Sequence, residues 1–202
     1  MIKSKQELLF YVMADTMMNR GYFKPSFKEC LKRVFIKDHI LTFLKLMRKC
    51  QYYSHRGGVK YIYYRIRYDR LSEKLGFSIG YNSFGYGLVI PHYGTIVVGG
   101  SNKCGNYCVL HTSTCITDNG KTIGDALYLS TGAKITSKVT LGDNISVGAN
   151  SLVNKSLVDS NVMIAGAPSR VIKSMAAWYI RDGQLYSDRV EAVENLKQKM
   201  NL

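Results

Sequence analysis

The chain has four histidines, and one of them, His92, interrupts a stretch that otherwise reads as strand and turn, "VIPHYGTIVVGG" at 89–100. A neutral imidazole with a pKa near ~6.5 accepts a proton from a hydroxyl at neutral pH. On residue type alone, His92 is either such a base or a side chain that closes its loop through a hydrogen bond. A second histidine falls beside it by counting. Ile90, Val98, Cys104 and Leu110 are four successive apolar anchors, so Leu110 stacks one coil above Ile90 and His111 lies above Pro91. That sets His111 about one strand spacing, ~4.8 Å, from His92. There it orients the base, binds an acceptor or decorates an outer face. His39 and His55 have no comparable geometry and are expected at the surface.

The elements that position these residues follow from periodicity. Leu129, Ile135, Leu141, Val147 and Val153 lie six residues apart, with small or aliphatic Ala133, Val139, Ile145 and Ser151 four residues after the first four of them. The period continues upstream through Val98, Cys104, Leu110 and Ile116, then steps by seven to Ile123 and by six to Leu129. Phe84 and Ile90 are six apart, while Ile90 to Val98 is eight, and His92 sits in that two-residue insertion. A period of six fits neither an α-helix nor a meander. It fits a chain that lays a short strand, turns a corner and repeats, three sides to a coil. A coil of this kind that only spans distance has no use for an insertion.

Residues 1–75 have a different texture. Ile40, Phe43, Leu44 and Met47 follow the i, i+3, i+4, i+7 rule and define a buried helical face, with Lys45, Arg48 and Lys49 expected off it. Pro25 before "SFKECLKRVF" suits a helix start and "HRGG" at 55–58 a break, giving three or four short helices. "DRVEAVENLKQKM" near the C-terminus is a further helix. The expected fold class is therefore α+β: an N-terminal helical segment (1–75), a parallel β-helix (76–173) and a C-terminal helical extension (174–202).

Charge is concentrated in the helical segment. Residues 1–74 hold 17 Lys and Arg against 6 Asp and Glu, out of a whole-chain net charge of +14. "YIYYRIRYDR" at 61–70 interleaves tyrosine with arginine. The preferred reading packs the tyrosines on the solenoid base and leaves the arginines in water; contact with an anionic membrane face comes next, and nucleic acid is set behind both. Residues 1–25 lack the order of a signal peptide and no apolar run is long enough to span a bilayer, so a cytoplasmic location is expected. Five cysteines without a C-x-x-C pair imply neither disulfides nor zinc, and buried free thiols are expected. "NGKT" at 119–122 has Cys115 where a phosphate-binding loop needs glycine, and no G-x-S-x-G elbow exists.

"FGYGLVIPHYGTIVVGG", the hexads and "VGANSLVNKSLVDSNVMIAGAPSRVIK" together resemble the hexapeptide-repeat acyltransferases, and among them the serine O-acetyltransferases and related enzymes of polysaccharide gene clusters. The match covers roughly residues 75–173. The resemblance implies a left-handed β-helix, usually a homotrimer or a dimer of trimers, that binds acetyl-CoA between neighbouring subunits and uses no metal. The handedness comes from the family, because ordinary crossovers between parallel strands are right-handed. His92 takes the place of the family's general base and His111 assists, while corner amides polarise the thioester carbonyl. Thr131 in "YLSTGAK" and Ala149 in "VGANS" match positions along the pantetheine arm. Lys155, Arg170 and Lys173 match basic residues that meet the CoA phosphates.

Departures bear on the acceptor. Pro91 stands where the family has aspartate before its base, the stretch around Phe77 lacks a second aspartate, and "DNGKTIG" has no histidine. A sugar hydroxyl thus joins serine as candidate acceptor. The competing readings are a non-catalytic solenoid scaffold and a basic membrane- or nucleic-acid-binding adaptor.

Overall fold

The computed structural model describes residues 2–202, with the side chains of residues 30 and 32–34, Cys30 among them, outside the description. Four helices come first: α1 (Lys5–Arg20), α2 (Phe27–Phe35), α3 (His39–Ser54) and α4 (Gly58–Leu75). Their ends carry the expected signals. Ser4 caps α1, accepting from the Glu7 amide at 2.9 Å while the Glu7 carboxylate reaches back, and Gly21 closes it in the left-handed region at φ 79°. Asp38 caps α3 through the Leu41 amide at 3.0 Å.

The chain then winds into a three-sided parallel coil. The first face is β1 (Phe77–Ile79), β2 (Ile96–Val98), β5 (Thr114–Ile116), β8 (Lys134–Ile135) and β11 (Leu152–Val153). The second is β3 (Lys103–Cys104), β6 (Thr122–Ile123) and β9 (Thr140–Leu141). The third is β4 (Val109–Leu110), β7 (Tyr128–Leu129), β10 (Ile145–Val147) and β12 (Val162–Gly166). An antiparallel strand, β13 (Ser169–Ser174), closes the third face. The hexad anchors all point inward: Phe84, Ile90, Val98, Cys104, Leu110, Ile116, Ile123, Leu129, Ile135, Leu141, Val147 and Val153 are buried.

Register reports the irregular steps. Ile96 pairs with Thr114 across a coil of regular steps, whereas Lys103 pairs with Thr122 across the coil that takes up the longer step from Ile116 to Ile123. Val89 pairs with Val109 across the coil that contains the His92 insertion, so Leu110 does stack on Ile90.

The helices sit on the first coil. Ile40, Phe43, Leu44 and Met47 join the same apolar cluster as the hexad anchors. Arg48 corrects the sequence expectation, because it is fully buried instead of facing water. Its guanidinium bonds Asp15 at 2.7 and 3.0 Å, Gln51 at 2.9 Å, and the Phe84 and Gly85 carbonyls. A planar five-donor fork satisfies this many acceptors at once, and the unfinished edge of the first coil supplies two of them.

In "YIYYRIRYDR", Tyr68 is buried and donates to the Ile79 carbonyl, while Arg65 is half-buried and paired with Asp69 at 2.8 Å. Cys50, Cys104 and Cys108 are buried free thiols and Cys115 is half-buried. Burial pushes the Cys50 and Cys108 thiols up to about 12.

After β13 come α5 (Trp178–Arg181) and α6 (Gln184–Lys199), which fold back on the chain's own coil and on α1. Trp178 donates to the Tyr107 carbonyl at 2.7 Å, and Glu194 accepts from Tyr86 at 2.9 Å and Tyr107 at 2.5 Å. Among the described residues no helix is long and apolar enough to cross a membrane.

Candidate active site

One edge of the prism, where the third face turns into the first, gathers most of the candidate residues. The corner that carries His92 runs over 91–95, whereas the corner above it needs only 111–113. The corners are stitched by backbone bonds from Ser113 N to Thr95 O (2.6 Å), Gly132 N to Thr112 O (3.1 Å) and Asn150 N to Thr131 O (3.0 Å). Thr95, Thr112, Thr131 and Ala149 therefore form a column, and the His92 corner bulges from it. His92, Thr131 and Ala149 are all exposed along this edge.

The wide corner is held from outside the coil. Gly94, at φ 137°, donates to the Leu75 carbonyl at the end of α4 (3.0 Å), and Ile96 donates to Gly76 (3.1 Å). The Asn19 side chain of α1 donates to the Leu88 carbonyl (2.8 Å) and accepts from the Ile90 amide (3.2 Å).

His111 is half-buried above this corner. Its Nε2 lies 2.9 Å from the Tyr128 hydroxyl. Burial first, then the nearby His92, pushes the His111 pKa below the usual histidine value, against the pull of Asp182. Burial also raises the Tyr128 phenol, so the hydroxyl stays protonated and shares with Nε2 a hydrogen bond whose direction follows the tautomer of the ring. Beyond it, the Arg181 guanidinium lies 4.5 Å from the centre of the Tyr128 ring, bonds Ser146 at 3.1 Å and pairs with Asp182 at 2.6 Å. Sequence reasoning missed Tyr128, Arg181 and Asp182. The signal for Tyr128 was present, because the step from Leu110 to Leu129 lays residues 128–130 against 109–111.

The basic candidates divide. Arg170 pairs with Ala165 on β13, at the far end of the His92 edge, and Lys173 pairs with Met163. Lys155 does not join them. It follows β11 and stands at the corner between the first and second faces. All three are exposed. His39 lies half-buried at the start of α3 and His55 is exposed. Among the described residues no group of three or more His, Cys, Asp or Glu is placed to hold a metal ion.

No protein-family model matches the chain. Among curated proteins, the serine acetyltransferase of Synechococcus elongatus is 27% identical over 137 residues, covering 58% of this chain and 56% of that one. The chain thus spans about half the length of the curated relatives it matches. Among solved structures, the serine acetyltransferase of Neisseria gonorrhoeae superposes with a TM-score of 0.68 at 19% identity, over 89% of this chain and 71% of that one. A serine acetyltransferase in complex with CoA superposes at 0.65 and 18% identity, over 83% and 70%. By sequence the chain is similar to serine acetyltransferases, and it shares with their solved structures the fold of a left-handed parallel β-helix of hexapeptide repeats.

Proposed function

We propose that the chain is an acetyl-CoA-dependent O-acetyltransferase in which His92 removes the proton of a hydroxyl acceptor, serine or a sugar of a polysaccharide precursor. The observation that carries this reading is the bulged His92 corner standing on the same edge as Thr131 and Ala149. The name shared by the relatives supports the same chemistry.

When bound, acetyl-CoA supplies a thioester carbonyl and a thiolate that leaves. The edge residues fit a long, narrow donor: Thr131 and Ala149 are short and exposed, and Arg170 and Lys173 offer cations near the end of the same edge. Lys155 stands one corner away, and in the homotrimer that the resemblance implies it would meet the donor from a neighbouring copy. His92 accepts the acceptor proton, and a base of this kind is worth about 10² to 10⁴ in rate. His111, kept neutral by burial and by His92, adds no positive charge that would discourage His92 from taking that proton.

The test is turnover of acetyl-CoA by His92→Ala, with affinity for CoA measured on the same protein. Turnover about 10² to 10⁴ lower with CoA affinity unchanged is expected. Turnover within about threefold of the parent defeats the assignment.

A further inference from the structure

Beside the His92 corner, α3 and α4 of the helical segment form an open cavity of about 490 Å³. Six basic side chains line it: Lys37, His39, Lys45, Arg67, Arg70 and Lys74. The carboxylate in the described lining, Asp38, is already held by Arg20 at 2.6 and 2.9 Å and caps α3. The floor is apolar, from Leu41, Leu46 and Leu71. A second cavity of about 360 Å³ shares Lys37, Asp38 and His39 with the first and ends on Tyr93, the residue after His92, which is 71% exposed. The two together fall in the size range of small-molecule sites, roughly 300 to 1,000 Å³. The bond from Gly94 N to Leu75 O ties the His92 corner to the end of α4 that carries Arg70 and Lys74.

We propose that the acceptor is a phosphorylated or diphosphate-linked sugar, its phosphate held in this basic cavity while its hydroxyl reaches His92 past Tyr93. The inference rests on the acetyltransferase reading and names the acceptor class for it. Cations drawn from three parts of the arm onto one cavity repel one another, and a multivalent anion relieves that repulsion through charge-assisted hydrogen bonds. Lys74 also complements the carbonyl end of α4, but Lys37 and Arg67 lie away from that helix end and serve no such purpose. A free amino acid is a poorer fit to the larger cavity, where its ammonium group finds only the committed Asp38, while Glu29 lines the smaller cavity beside Tyr93. The donor's phosphates have their own candidates elsewhere. Arg170 and Lys173 lie beyond Ile164, which is four coil rungs, about 19 Å, from the row of Ile90. His92 stands between the two basic regions.

The test uses calorimetry on the full chain with inorganic pyrophosphate and with uridine diphosphate, each with and without saturating CoA. The parent is expected to bind both, and an Arg70→Ala/Lys74→Ala protein to bind them at least about tenfold more weakly with an unchanged melting temperature. Failure of the parent to bind either diphosphate overturns the proposal. Equal affinity in parent and variant does so too, as does full displacement by CoA, which would make the cavity the donor's site. If the diphosphates bind but CoA does not, the acetyltransferase reading falls and the anion site stands. Neutral vesicles with and without a polyprenyl diphosphate separate the two sources of the ligand. Retention on doped vesicles points to a lipid-linked sugar, and diphosphate binding without retention points to a soluble nucleotide sugar.

Discussion

Changing Tyr128 to Phe keeps the ring beneath Arg181 and removes one oxygen, the atom 2.9 Å from His111 Nε2. A phenol donates more strongly than it accepts, so the bond is expected to favour the neutral His111 tautomer that carries its own proton on Nδ1. The lost bond is worth about 0.5 to 1.5 kcal/mol, which converts to about a two- to tenfold change in the ratio of the two neutral tautomers. For a domain of this length, about 1 kcal/mol lowers the melting temperature by roughly 2 to 4 °C. The assay is nitrogen NMR of the imidazole rings in labelled protein above pH 7.5, where both nitrogens of each ring report protonation directly. His111 in the parent should show one protonated and one bare nitrogen, and in Tyr128→Phe the two values should move toward each other. Turnover should fall by less than that factor, about twofold where the parent is mostly in one tautomer, with affinity for CoA unchanged. Ring-nitrogen shifts of His111 identical in parent and variant would refute the argument, whatever the turnover.

Arg48→Ala leaves the Asp15 carboxylate buried beside the first coil without its partner, and should cost about 3 to 5 kcal/mol in a calorimetric melt. Arg48→Met combined with Asp15→Leu should recover only part of that loss, because the Phe84 and Gly85 carbonyls and the Leu88 amide then lose their partners. His111 has a depressed pKa in the folded state, so the unfolded chain binds the extra proton first. Its contribution to stability is complete above the unfolded value of ~6.5 and fades as pH falls below it. Melting temperatures across pH 5 to 8 should therefore drop on the acid side less steeply in His111→Gln than in the parent. Ala149→Trp places a bulky ring on the exposed edge and should weaken CoA by about 1 to 3 kcal/mol in calorimetry while leaving the melting temperature within about 2 °C.

What could be read from the residues alone was whatever repeats. Inward anchors at a spacing of six can be counted, and the counts carry directly into register: the longer step from Ile90 to Val98 reappears as the pairing of Val89 with Val109. The same count placed His111 beside the His92 corner. Arg48 escaped it because helical periodicity assigns a face and says nothing of what that face meets. Arg48 meets the open edge of a coil whose Phe84 and Gly85 carbonyls need donors. Register alone sets Tyr128 beside His111, but its contact with Arg181 depends on a segment that returns from beyond the last coil, which hexad counting does not reach. The basic cavity was visible as charge in the arm, but its convergence depends on how α3 and α4 pack, which no local motif encodes.

The arm also limits which experiments can separate the competing functions. A wide corner stacked on a narrow one leaves backbone groups that the coil cannot pair by itself. Asn19, Leu75 and Gly76, all from the helical segment or its end, take up the Leu88 carbonyl and the amides of Ile90, Gly94 and Ile96. Deleting residues 1–74 removes Asn19 and the helix that positions Leu75, so the His92 corner loses its outside supports. Such a truncation abolishes acetyl transfer if His92 is a base, and equally abolishes an adaptor function seated in the arm. Loss of activity on truncation therefore favours neither. The Arg70→Ala/Lys74→Ala protein, which alters the arm's charge while Asn19 and Leu75 still hold the corner, is the variant in which the two readings diverge. An adaptor loses its partner and has no turnover to lose, whereas the enzyme keeps its affinity for CoA and loses affinity for the acceptor alone.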